Sequence, residues 1–181
     1  MELNLGNQYT IPFSGLKEGN HEFSFSFDKK FFEEYTVLEA HDGFVSAEVL
    51  LEKKLSMLSM QIIMTGNLEL KCDRCLDYFT FPLEFRGNLV VKFGKDTHSS
   101  TDEIWILDPN EHTINLEQYF FECIGLCLPI QRLHSQNADG ISNCNPDMLN
   151  ILASYDKSEE VGQDLDPRWN KLKELYNDNN N

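Results

Sequence analysis

The sequence predicts an α+β fold, with a curled antiparallel sheet or partial barrel from the N-terminal half, a packed helix and short C-terminal helices. A half-buried strand is indicated where apolar and polar residues alternate, with Phe23, Phe25 and Phe27 on one face. An apolar stripe at helical spacing is made by Leu116, Phe120, Cys123 and Cys127. With 181 residues, 41% of them hydrophobic, we expect one domain over residues 1–176 and a disordered tail over 177–181.

The strands are expected mostly in the first half of the chain. An edge strand is predicted at residues 10–13, a half-buried strand at 21–27 and a short helix at 29–35. A turn at Asp42-Gly43 precedes a strand at 44–52, and longer strands follow at 58–70 and 78–93. Pro82 and Gly87 weaken the last of these strands and indicate an edge or a bulge.

Helices are expected in the second half, after a polar loop at 95–101 and a short strand at 104–107. Asn115 and Gln118 have the spacing of a capping box, and Pro129 should end the helix that they begin. Asn145-Pro146 predicts a second helix, because it places an N-cap residue before a proline at the first helical position. Asp166-Pro167 repeats that pattern and predicts a last short helix.

A metal site is predicted around Cys72-Asp73-Arg74-Cys75, which lies between two predicted strands. Two cysteines separated by two residues at a hairpin tip place both sulfurs on one side of a tight turn, which suits half of a tetrahedral zinc site. His134 and Cys144, in the loop after the main helix, supply a second half. The sequence therefore predicts a zinc ion bound by Cys72, Cys75, His134 and Cys144.

Other interpretations of the cysteines stay open. A redox pair favours a strand that leads into a helix starting at the first cysteine, whereas a second strand follows Cys75. Buried cysteine also serves as a small apolar residue without any ligand. Cys123 and Cys127 have helical i, i+4 spacing that suits one metal, but their place on the apolar stripe favours core packing.

Composition and motifs indicate the cellular compartment and the functional class of the protein. An odd number of cysteines, five, in a chain whose start does not resemble a secretory signal favours a reducing, cytoplasmic environment. No apolar run is long enough to span a bilayer. The sequence contains no glycine-rich phosphate loop, no G-x-S-x-G and no H-E-x-x-H, so we expect a protein that is not an enzyme.

The charge is strongly negative and unevenly distributed. Residues 96–166, which we call the acidic block, carry 14 acidic and 2 basic side chains, a net charge of −12 out of −15 for the whole chain. Such a segment repels phosphates and attracts basic partners, although solubility alone also accounts for it. We take the adjacent Glu159 and Glu160 as candidate partner-binding residues, because they lie in a stretch with little apolar content.

Three motifs, in order, resemble the YceD family, which is described as affecting accumulation of large-subunit ribosomal RNA. Cys72-Asp73-Arg74-Cys75 resembles the family's C-x-R-C, and Leu128-Pro129 followed by His134 is similar to its leucine-proline step and histidine. Cys144 follows at a fitting distance, and Asp166-Pro167-Arg168-Trp169 resembles its C-terminal Asp-Pro-Arg segment. The resemblance covers about residues 58–175 and includes the four predicted metal ligands.

The resemblance implies a role in ribosome biogenesis tied to the large subunit. With a net charge of −15, we expect binding to a basic large-subunit ribosomal protein or a pre-ribosomal particle. The alternative is a zinc-containing module that binds rRNA directly, for which the candidate basic residues are Lys29-Lys30, Lys53-Lys54 and the segment from Lys71 to Arg74. A third class is a thiol-redox or other enzyme, which a lowered thiol pKa at Cys72 or Cys75 would favour.

Overall fold

The computed structural model describes residues 8–95, 101, 104–137 and 140–156. A small sheet joins β1 (Thr10–Ile11) to β7 (Ile114–Asn115). The main sheet contains, in spatial order, β2 (Gly19–Phe27), β3 (Ala40–Lys53), β4 (Met57–Lys71), β5 (Tyr78–Phe93) and β6 (Ile104–Leu107). The helices are α1 (Lys29–Glu34), α2 (Glu117–Cys127) and α3 (Pro146–Asp156), with a 3₁₀ turn at Thr36–Leu38. The predicted α+β class is confirmed.

The main sheet is mixed, although its strands from the N-terminal half pair antiparallel, as predicted. Strands β2 to β5 pair antiparallel in sequence order, but β6 runs parallel to β5, with Val90 opposite Ile104. The direction of β6 depends on the connection before it, and the four apolar residues of β6 carry no information about that direction. The sheet is curled and remains open.

One face of this sheet carries the hydrophobic core. Alternate residues of β3 and β4, such as Leu51, Met60 and Ile62, are fully buried there. Helix α2 packs onto the same core through Leu116, Phe120, Cys123 and Ile124, which confirms the predicted apolar stripe. The rings of Phe27 and Phe120 lie 5.1 Å apart and join β2 to α2.

The predicted turn at Asp42-Gly43 is wrong, because β3 runs through it. The pairing of β3 with β4 continues from Lys53 to Asp42, then shifts register before Ala40. Hydrogen bonds to β4 therefore override the local turn preference of the two residues. A Cβ on Gly43 would lie 2.9 Å from the carbonyl oxygen of Asn67, so the close approach of the two strands accounts for the glycine.

The capping predictions are partly right. Asn115 Oδ1 accepts a hydrogen bond of 2.8 Å from the N–H of Glu117, the first residue of α2, but the N-cap position is Leu116, one residue after the predicted one. The Gln118 side chain donates to Glu122 instead of reaching back, so there is no capping box. Helix α2 ends at Cys127, before Leu128-Pro129, as predicted. Asn145 Oδ1 accepts from the Asp147 N–H at 3.0 Å, which confirms the predicted start of α3.

Two predictions concern residues outside the described part of the chain. These are the last helix at Asp166-Pro167 and the tail at 177–181. Among the helices that the structure describes, none has both the length and the apolar character needed to cross a bilayer.

Candidate metal centre

The first half of the candidate site is the turn between β4 and β5. The Cys72 N–H donates to the Asp77 carbonyl at 2.9 Å, and the Leu76 N–H donates to the Cys72 carbonyl at 2.9 Å. Leu76 takes a left-handed backbone conformation, with φ of 65°. These contacts reverse the chain within six residues and direct the sulfurs of Cys72 and Cys75 to the same side.

The second half comes from the loop between α2 and α3. The Asn143 N–H donates to the Ser135 carbonyl at 3.1 Å, and Gln136 forms a bridge with Ser142. This narrow loop brings His134 beside Cys144, although ten residues separate them. The sequence spacing therefore gave little indication of how close these two side chains lie.

The four predicted ligands converge. One ligand atom from each of Cys72, Cys75, His134 and Cys144 lies within 4.8 Å of the other three. The Cys72 and Cys144 sulfurs are 3.8 Å apart, and His134 Nδ1 lies 3.4 Å from Cys75 Sγ and 3.7 Å from Cys144 Sγ. A tetrahedral zinc site has S–S separations of about 3.8 Å and S–N separations of about 3.5 Å, given bonds of about 2.3 and 2.0 Å. The donor set and its dimensions thus fit zinc.

The candidate centre is shielded from solvent. Cys72, Cys75 and Cys144 are all buried, and His134 is half-buried. The cysteines form a small apolar cluster of their own with Leu133, Met148 and Leu149. The ring of Phe79 lies 5.2 Å from that of His134 and restricts its orientation. Burial of this kind is typical of a structural metal site whose four positions are all protein ligands.

The turn stabilises a thiolate at Cys72. Burial acts to raise the pKa of this thiol. Hydrogen bonds from the backbone N–H groups of Cys75, Arg74 and His134 outweigh burial and lower the pKa to about 6. Cys72 therefore carries negative charge at neutral pH, which is the form that binds a metal.

The pKa of Cys144 is raised. A hydrogen bond with the Ser142 side chain acts to lower it, but burial and the neighbouring Cys72 and Cys75 sulfurs together outweigh that bond. Cys72 and Cys144 cannot both ionise without repulsion at a separation of 3.8 Å. A divalent cation would remove that repulsion, so the cluster is electrostatically suited to one.

Contacts around the ligands hold the two halves together. Asp73 and Arg132 exchange hydrogen bonds: the Asp73 N–H donates to the Arg132 carbonyl, and the Arg132 N–H donates to Asp73 Oδ2, both at 2.8 Å. The Arg132 guanidinium also pairs with Glu39, next to β3. Asn145 Nδ2 donates to Asp77 at 3.1 Å. These contacts would hold the two halves of the centre in the same arrangement even if the four side chains bound a metal only weakly.

Sequence reasoning missed this second layer. The sequence predicts no role for Asp73 beyond its place in the cysteine motif, and none for Arg132. Nothing in their spacing of 59 residues indicates that they pair. Asn145 was found as a helix cap, but its second contact, with Asp77, depends on the tertiary structure.

The redox interpretation loses its geometric basis here. The lowered pKa of Cys72 is the property that would favour it. However, Cys72 lies in a turn between two strands, not at the start of a helix, and its exposed fraction is 0%. A substrate disulfide cannot reach a sulfur with no exposed surface, so the thiolate is better suited to an internal cation.

Cys123 and Cys127 lie apart from the centre. Burial raises the pKa of Cys123 to about 12 and also raises the pKa of Cys127. Both would remain protonated at neutral pH, which is unfavourable for metal binding. Their side chains contact the core between α2 and the sheet, as the helical periodicity predicted.

The candidate partner-binding residues cannot be placed. Glu159 and Glu160 lie outside the described residues. Within the described part of the acidic block, Glu111 and Glu122 are exposed and Glu117 is half-buried.

Comparison with known protein families shows which family this chain belongs to. The family described as "Large ribosomal RNA subunit accumulation protein YceD" matches residues 60–176. The chain belongs to the YceD family. The matched segment includes all four ligands of the candidate centre, as well as β5, α2 and α3. It also includes Asp166-Pro167-Arg168-Trp169.

The YceD description concerns the accumulation of large-subunit ribosomal RNA, and it names no chemical reaction. Comparisons with curated proteins and with solved structures give no significant match. Membership of the YceD family is therefore the functional information that similarity supplies for this chain.

Proposed function

We propose that this protein is a zinc-stabilised, non-enzymatic assembly factor that supports accumulation of large-subunit rRNA by binding a basic partner in the pre-ribosomal particle. The YceD match over residues 60–176 is the observation that carries the proposal. A ribosomal role also implies the cytoplasm, where thiols stay reduced and available to a metal.

The zinc ion is proposed as a structural element. Three thiolates and one imidazole form a closed tetrahedral set, which leaves no position for a substrate or a reactive water. Binding would connect the β4–β5 turn to the loop before α3 and would contribute to folding free energy. Its role in function is to connect α3, whose Met148 and Leu149 pack against the cysteines, to the β4–β5 turn.

Charge supports a protein partner. The acidic block has a net charge of −12, from 14 acidic and 2 basic side chains. One of those basic side chains, Arg132, is already paired with Glu39. A surface of this kind attracts the basic tails of ribosomal proteins and occupies them as rRNA phosphates would.

Direct RNA binding is less well supported by the arrangement of basic residues. Lys53 Nζ donates to the carbonyl groups of Phe13 and Leu16 at 2.8 Å each, so its charge serves the fold. Lys54 pairs with Glu52. Arg74 lies at the opposite end of β4, which is about 50 Å long at about 3.3 Å per residue. These residues do not form the continuous basic track that a phosphate backbone requires.

Depletion in the host cell tests the proposed function. We expect the ratio of large-subunit to small-subunit rRNA to fall on depletion and to recover with the parent gene. A double variant, Cys72→Ser with Cys144→Ser, should fail to restore the ratio because it cannot hold zinc. An unchanged ratio after depletion would contradict the proposal.

A further inference from the structure

The outer edge of β5 is unpaired over most of its length among the residues that the structure describes. Strand β4 pairs with β5 from Tyr78 to Lys92, whereas β6 pairs with it only from Val90 to Phe93. The stretch before Val90 therefore has a paired side and an open side. Long open edges are usually blocked, because they offer backbone groups to any passing strand.

Two contacts show which backbone groups face this open side. The Glu84 carbonyl accepts a hydrogen bond from Cys127 Sγ of α2, and the Gly94 N–H donates to the carbonyl of Leu107, the last residue of β6. Both residues are even-numbered, and the pairing of β5 is continuous from Tyr78 to Lys92 with β4 and on to Phe93 with β6. Because backbone groups alternate along an antiparallel strand, those of Arg86 and Asn88 also face outward.

Pro82 agrees with this assignment. Pro82 is also even-numbered, so its backbone faces the open side. Proline has no N–H group, and at this position no hydrogen bond to β4 is lost. Between Pro82 and β6, the edge therefore presents the backbone amide groups of Arg86 and Asn88, whereas the Glu84 carbonyl is already bonded to Cys127 of α2. We call Arg86 and Asn88 the open edge.

A groove lies beside the open edge, between β5 and α2. It has a volume of about 680 Å³ and is lined mainly by apolar side chains: Phe85, Trp105, Tyr119, Cys123 and Leu126. Gly87 forms part of its wall, and a Cβ there would lie 2.6 Å from the Phe85 ring. Leu126 is 82% exposed on the rim. Alternate side chains of an added strand would enter this groove.

The negative charge beside the groove favours a basic strand. Residues 104–131, which include β6 and α2, carry four carboxylates and no Lys or Arg. Glu122 lines the groove itself. A segment with basic residues toward solvent and apolar residues toward α2 would match both features.

We propose that the open edge and its groove bind an extended, basic segment of the partner protein by strand addition. This rests on the proposed function, because it gives that partner its binding mode. Backbone hydrogen bonds to β5 would provide affinity, and the apolar groove would select side chains at every second position.

Hydrogen exchange of the open edge is the direct test. The probe is the protein fraction extracted from purified large ribosomal subunits and freed of RNA. We expect the Arg86 and Asn88 amides to exchange readily in the free chain and at least about tenfold more slowly in the complex. Protection already present in the free chain would overturn the proposal, because it would mean that another part of the chain covers the edge. Unchanged exchange in the complex would overturn it too.

Paired variants separate strand addition from other modes of binding. Asn88→Pro removes an outward N–H group without touching the β4 ladder, and Asn88→Ala keeps that group. One lost hydrogen bond should weaken binding about fivefold in the proline variant alone. Leu126→Lys should weaken it as well, whereas Leu55→Lys, at an equally exposed leucine (88%) in the β3–β4 turn, should not. The two lysine variants keep the test decisive if the proline variant does not fold.

The outcomes distinguish this inference from the proposed function. If the parent binds the ribosomal proteins and both Asn88→Pro and Leu126→Lys bind as well as it does, strand addition is wrong and the proposed function stands. If the parent binds none of them, both fail.

Discussion

At the scale of single residues, the convergence of Cys72, Cys75, His134 and Cys144 is the feature that the sequence predicted best. Cys72 and Cys75 were recognisable because a two-residue separation at a strand end leaves few conformations for the turn. His134 and Cys144 were found by their residue type and their place after a helix. Their supporting contacts, such as that between Asp73 and Arg132, were not predictable, because the packing of α2 onto the sheet sets them.

Replacing one ligand should release the metal. We expect about one zinc per chain in protein purified without chelator, and much less in Cys144→Ser, because three ligands leave an open position. Elemental analysis by mass spectrometry measures this directly. Cys123→Ser is the matched control, since that thiol lies outside the cluster and should leave the zinc content unchanged. Parent protein without zinc, in which the thiols do not bind added zinc, would contradict the assignment.

The pH dependence of the metal-free protein should reveal the thiolate. Because the folded-state pKa of Cys72 is lowered to about 6 from an ordinary value of 9.0, folding favours its ionised form. That contribution to stability is complete above pH 9 and is lost as pH falls toward 6. Thiolate absorbance in the ultraviolet should therefore rise near pH 6 in the parent. A Cys72→Ser variant without this rise would confirm the assignment, and an unchanged titration would contradict it.

At the scale of elements, hydrophobic periodicity predicted the strands and the helix that have one buried face. Strands β2, β4 and β5 and helix α2 were recognisable because one face of each is buried in the core. The turn at Asp42-Gly43 failed because pairing with β4 overrides local preference. The parallel direction of β6 was hidden, since it depends on a connection and not on the pattern of four residues.

Removing the side chain at the centre of α2 should test this packing. Phe120 is fully buried and contacts the rings of Phe25 and Phe27. Phe120→Ala should lower the free energy of unfolding by about 3–5 kcal/mol, through lost burial and the cavity left behind. Leu126→Ala on the exposed side of α2 should change it by less than about 0.5 kcal/mol. Urea denaturation of both variants provides the measurement, and equal effects would contradict the packing of α2.

At the scale of the whole molecule, charge is distributed unevenly along the chain. The acidic block includes α3 and two of the four predicted metal ligands, His134 and Cys144, whereas Cys72 and Cys75 lie outside it. Sequence alone gave this charge distribution and the YceD resemblance. It did not give the open edge of β5, because that depends on how few residues of β6 pair with it.

Charge reversal should weaken partner binding while leaving the fold intact. Glu159→Lys with Glu160→Lys reduces the acidic block's charge from −12 to −8, two units for each reversal. Charges in a stretch with little apolar content contribute little to stability, so the melting temperature should stay nearly the same. The matched control is Glu33→Lys with Glu34→Lys, an exposed adjacent pair outside the acidic block. Equal binding by both double variants would mean that the acidic block only solvates the surface.

The most direct test of the central claim compares two partners for the full chain. One is the protein fraction of the large subunit, and the other is naked large-subunit rRNA, each measured over a series of salt concentrations. We expect the protein fraction to bind, with affinity falling as salt rises, since exposed charges are screened beyond about 8 Å at physiological ionic strength. The rRNA should bind weakly, because the chain has a net charge of −15. Tight, salt-sensitive binding to naked rRNA that is lost on replacing Lys53, Lys54 or Arg74 would contradict the account.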